Sequence, residues 1–166
     1  MDSFICNGEK YAYRKETIAL PLSLKGLPEQ IAIGDLSLMR KSSLHVSLVC
    51  VGRLVTKHKI QDPHFEQAVI DDFCDYSAAH DVSFVKFQND FKLVAQHERR
   101  SLIVMCEVSG LDGFFSLINK KYQLKLEPHP THVTLYTLQP DKGIFLVDDH
   151  DLEMLSKPTP NPGLHL

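Results

Sequence analysis

Two short runs with the same pattern of residue types constrain this chain more than anything else in it. His45-Val46-Ser47-Leu48 and His132-Val133-Thr134-Leu135 each read histidine, apolar, hydroxyl, apolar. Side chains alternate across a strand, so in an extended chain His45 and Ser47 point one way and Val46 and Leu48 the other. The same holds for His132 and Thr134 against Val133 and Leu135. Each run therefore predicts a half-buried strand with its apolar side on the core and a histidine and hydroxyl on an open side. A solvated strand face accounts for one such run on its own. Two imidazoles facing one cleft can divide acid and base work between them, because histidine titrates near pH 6.5.

The rest of the chain places these strands in an α+β protein. "ETIALPLSLKGLP" predicts a short strand ended by Pro21 or by the loop around Gly26 and Pro28, and a second strand runs from about Leu44 to Leu54. Asp62 as N-cap and Pro63 at the first helical position open a helix to about Ala79, with Phe65, Ala68, Val69, Phe73 and Tyr76 at helical spacing. "VSFVKFQ", "FKLVAQ" and "SLIVMCEVSG" predict three strands in hairpins, turning at "ND" and at "HERR". "LDGFFSLINKKY" predicts a helix capped by Asp112. It leads to the strand "HVTLYTL", a short strand "IFLV" and a helix "DHDLEMLS". Residues 1–156 are expected to form one domain, and the proline-rich tail 157–166 to be extended without a fold of its own.

Composition narrows the function classes. A formal net charge of −3 repels long polyanions, so a long duplex is not an expected partner, and "KHK" at 57–59, Arg99-Arg100 and Lys120-Lys121 read as solvated faces. No apolar run approaches the roughly 18 residues that span a bilayer, and no basic, apolar leader opens the chain, so no membrane partner and a cytoplasmic location are expected. Cys6, Cys50, Cys74 and Cys106 are scattered without a CxxC pair and are expected to be reduced. His129, His132 and the acidic run 148–151 do not have the spacing of a metal site. The run is instead read as cap and first-turn charge for the last helix, so no metal or other cofactor is expected. "EPHPTH" also offers His129 and Thr131 at the right spacing. The flanking prolines make it a loop leading into the strand.

The paired HVSL and HVTL runs, with apolar flanks and a helix and hairpin region between them, resemble the HxS/T signatures of the two-histidine (2H) phosphoesterase superfamily. The similarity points most directly to bacterial 2′-5′ RNA ligase-like and cyclic phosphodiesterase proteins. The resemblance implies a bilobal α+β fold, flanked by helices, in which two antiparallel sheets related by a pseudo-twofold axis face a central cleft. It implies metal-independent chemistry on a 2′,3′-cyclic phosphate or a 2′-5′ linkage of a nucleotide or RNA end. Carried over, His45 and His132 are the general acid and base in an order left open, and Ser47 and Thr134 orient the phosphate. Ligase-like members often carry an arginine three residues after the second hydroxyl, where this chain has Thr137. Tyr136, by alternation on the face of His132 and Thr134, is a candidate for stacking on a base. The alternative function is a non-catalytic module that binds a nucleotide or RNA end in the same cleft.

Overall fold

The computed structural model describes residues 3–14 and 16–166. In chain order the elements are β1 (Ser3–Cys6), β2 (Glu9–Arg14), β3 (Thr17–Leu22), β4 (Gln30–Ile33), β5 (Leu36–Arg40), β6 (Leu44–Val49), α1 (Val51–His58) and α2 (Phe65–Ala79). They continue with β7 (Phe84–Gln96), β8 (Arg99–Val108), α3 (Leu111–Tyr122), β9 (His132–Thr137), α4 (Asp149–Leu155) and β10 (Ser156–Thr159). Among the described residues the architecture is α+β, four helices with a large antiparallel sheet that does not close. The chain divides into two compact units.

The first unit holds the chain up to Pro21 together with Ser47–Val85 and Val108–His129. β1 and β2 form a hairpin closed by Asn7-Gly8, both at positive φ (51° and 84°), the turn chemistry that suits the right-handed twist of a two-stranded ribbon. Behind it, Tyr11, Phe73 and Phe114 stack edge to face in series, with ring centroids 4.9 and 5.2 Å apart. Cys6 of β1 is bonded to Cys74 of α2, which corrects the expectation that all cysteines are reduced. Cys50 and Cys106 are free thiols buried in the interior. The Cys6–Cys74 contact is made by tertiary packing of strand on helix, and scattered spacing carries no sign of it.

The second unit holds Leu22–Val46, Lys86–Glu107 and Pro130–Leu166. β9 is its central strand. β8 runs along one edge of β9, and β6 and β5 share the other, with Val46 opposite Val133 and Arg40 opposite Tyr136. Its core gathers Val94, Ile103, Met105, Ile144 and Leu146, with Leu152 and Leu155 of α4 against them.

Several boundaries differ from the sequence expectation. The strand from Leu44 stops at Val49, and residues 51–58 turn into α1. "VCVGRLVT" is rich in β-branched residues, but burial of Val51 and Leu54, three apart, rewards a helix turn there and overrides local preference. "VSFVKFQ" and "FKLVAQ" are one strand, β7: Asn89 takes a positive φ (52°) inside it and the chain kinks without reversing. The helix opening at Leu111 is capped by Gly110 at φ 73°, not by Asp112. "IFLV" is irregular backbone whose Ile144 and Leu146 still enter the core. The tail is not formless, since Ser156–Thr159 pairs with Phe91–Val94 of β7 as β10. Pro158 sits on a terminal strand, where a missing N–H is tolerated. α2 begins at Phe65, two residues beyond Pro63, with the Asp62 carboxylate accepting from the His64 N–H at 2.8 Å. α4 is capped as expected: Asp148 accepts from the Asp151 N–H at 2.9 Å.

Candidate functional site

Alternation sets the β6 run as the sequence predicts, whereas on β9 the histidine expected on an open side is buried and only the hydroxyl residue stays half-buried. On β6, Val46 and Leu48 are fully buried while His45 and Ser47 are half-buried. On β9, Val133 and Leu135 are fully buried, Thr134 is half-buried and His132 keeps 9% exposure. The antiparallel pairing of Val46 with Val133 then places His45, one residue earlier, across from Thr134, one residue later. Directly opposed residues in such a ladder hold their β-carbons about 5 Å apart. His45, Thr134 and His132 therefore share one face within the second unit. Ser47 lies two residues beyond His45 on β6, in the part of that strand that belongs to the first unit.

His132 is held in a defined state. Its Nδ1 lies 2.7 Å from the Pro130 carbonyl oxygen. A carbonyl only accepts, so Nδ1 carries the proton and, in the neutral ring, Nε2 carries the lone pair. This tautomer and the restricted exposure fix the ring plane, as a base or acid needs.

His129 has the opposite role. It is 4% exposed, its Nε2 accepts the Cys50 N–H at 2.9 Å, and its ring meets Phe115 edge-on at 5.3 Å. That imidazole ties the residue before α1 to the loop after α3 and is part of the first unit's interior.

Tyr136 is corrected from stacking candidate to core residue. It has no exposed surface, and its hydroxyl donates to the Pro28 carbonyl at 2.9 Å. Burial is also the main cause of the upward shift of its phenol pKa. The reason is a β-bulge: Leu102 pairs with Tyr136 and Ile103 with Thr134, leaving Leu135 as the extra residue on β9. A bulge breaks the two-residue alternation and re-aims the side chains after it. Thr137 is likewise fully buried, with no hydrogen-bond partner for its Oγ1 among the described residues.

Comparison with protein-family models, curated proteins and solved structures returns no match.

A cavity of about 590 Å³ lies elsewhere, in the first unit between α2 and α3. Of its lining residues, Lys121 pairs with Asp72, the Tyr76 hydroxyl donates to the Gly110 carbonyl, and His80 Nδ1 donates to the Tyr76 carbonyl. None of the paired-run residues lines it. Among the described residues no helix is long and apolar enough to cross a membrane, and no three or more His, Cys, Asp or Glu side chains group as metal ligands.

Proposed function

We propose that this protein is a metal-independent phosphodiesterase that opens a 2′,3′-cyclic phosphate, or cleaves a 2′-5′ linkage, at a nucleotide or RNA end. The observation that carries the reading is the pairing of Val46 with Val133, which sets His45 across from Thr134 and two strand positions from His132 on one face.

In this reading one histidine takes a proton from water as its oxygen attacks phosphorus, and the other gives a proton to the departing ribose oxygen. A P–O bond forms as another breaks, and the proton count closes between the two rings. Ser47 and Thr134 hydroxyls donate to the non-bridging oxygens, whose charge grows in the transition state. The Nδ1–H of His132, tied to Pro130, leaves Nε2 as the nitrogen that would meet substrate. The bilobal arrangement of two antiparallel sheets about a pseudo-twofold axis belongs to this proposal. A module that only bound nucleotide would have no need of both histidines and both hydroxyls.

The test is incubation of the protein with the four 2′,3′-cyclic nucleotide monophosphates in excess chelator, with products separated by anion exchange. Turnover to a single monophosphate isomer is expected, and the isomer shows which ribose oxygen leaves. Saturable binding of the same nucleotides without turnover would overturn the catalytic reading in favour of a binding module.

A further inference from the structure

The second unit contains a cation that the paired runs do not include. β5 and β6 pair with the same edge of β9 and are separated only by Lys41-Ser42-Ser43. The break keeps contact with β9, because the Lys41 N–H donates to the Leu135 carbonyl at 2.9 Å. It is also clamped to the loop after β9: the Asp141 carboxylate accepts from the Ser42 N–H at 3.0 Å and the Ser42 hydroxyl at 2.8 Å. These two bonds, ahead of the nearby Lys41 charge, hold the Asp141 carboxyl below its ordinary pKa.

The clamp brings Lys41, Thr134 and Gly143 around one small space. A β-carbon built on Gly143 would lie 3.9 Å from Lys41 Nζ and 4.0 Å from both Oγ1 and Cγ2 of Thr134. The ammonium and the Thr134 hydroxyl are therefore at most about 8 Å apart, a span that one phosphate group bridges with a hydrogen bond of roughly 2.8 Å at each end. Arg99 adds charge at the same loop, its guanidinium donating to the Gly143 carbonyl at 3.4 Å. Glycine at 143 leaves the space unfilled.

We propose that Lys41 is a phosphate-binding residue acting with Thr134, that the gap over Gly143 admits a non-bridging phosphate oxygen, and that Ser42 and Asp141 position Lys41. This rests on the phosphodiesterase reading and deepens it.

The experiment compares wild type with Lys41→Met, Lys41→Arg and Gly143→Ala. Cyclic nucleotide hydrolysis is measured alongside melting temperature, and inorganic phosphate is titrated while the backbone amide signals of Thr134 and Gly143 are followed by NMR. An alanine methyl makes only ordinary contacts at 143, so that variant is expected to fold. Expected results are a fall in kcat/KM on the order of 10²-fold for Lys41→Met, return to within about tenfold of wild type for Lys41→Arg, and a loss for Gly143→Ala at unchanged melting temperature. Phosphate should shift both amides in the wild type and not in Lys41→Met. If wild type turns over and folded Lys41→Met and Gly143→Ala match it, the Lys41 role is overturned and the two-histidine reading stands. If wild type fails to turn over, the phosphate titration decides alone. Shifts lost in Lys41→Met support the cradle, while shifts absent from wild type, or equal in both proteins, overturn it.

Discussion

Replacing His129 by alanine tests whether the two neighbouring histidines have been assigned the right roles. The variant removes the acceptor for the buried Cys50 N–H, and an amide left without a partner costs about 1–3 kcal/mol. It also removes a ring packed edge-on against Phe115, a contact worth roughly 1 kcal/mol beyond simple burial. Together these predict a loss of about 3 kcal/mol, or a fall in melting temperature of about 10 °C for a chain of this size. Thermal melts by circular dichroism would measure it, with turnover assayed well below the transition. His129→Gln, whose amide oxygen can still accept from Cys50, should recover about 1 kcal/mol. Turnover per folded molecule should be unchanged in both. A His129→Ala protein that melts with the wild type, or that is fully folded and inactive, would refute the assignment.

Other outcomes follow from the same structure. Tyr136→Phe should cost about 1 kcal/mol through the lost bond to the Pro28 carbonyl and leave KM for nucleotides unchanged, whereas a stacking residue would give the reverse pattern. Burial pushes the thiols of Cys50 and Cys106 up to about 11 and about 12, so neither should react with a disulfide reagent in the native protein at pH 8. Denaturation without reductant should release two thiols per chain, and with reductant four, counted spectrophotometrically. Asp141→Ala should lower stability at neutral pH. Because the folded carboxyl pKa lies below the ordinary value, that contribution is complete above about pH 4 and is lost as pH falls through the lower folded value. Denaturation curves of variant and wild type should therefore converge in acid.

The sequence made β6 legible because its period of two coincides with burial, and it revealed α2 through the spacing of Phe65, Val69, Phe73 and Tyr76, although the helix starts two residues beyond the Asp62-Pro63 signal. It made Tyr136 misleading, since alternation assumes a regular ladder and the extra residue Leu135 breaks it. Asn89 carried a turn signal that here makes only a kink, because the residues beyond it stay in register with β10, a strand formed by a tail that reads as structureless. The Asn7-Gly8 hairpin did carry a recognisable turn dipeptide. The Cys6–Cys74 bond, the His129 contact with Cys50 and the Ser42–Asp141 clamp carried none, because each joins residues far apart in the chain through tertiary packing alone.

The most direct measurement of the central claim is the rate of 2′,3′-cyclic nucleotide hydrolysis, in chelator and across pH, by wild type, His45→Ala and His132→Ala, each shown to be folded. Two histidines sharing acid and base work predict a bell-shaped profile for wild type and no measurable turnover for either variant. Wild-type activity in folded His45→Ala or His132→Ala would contradict it.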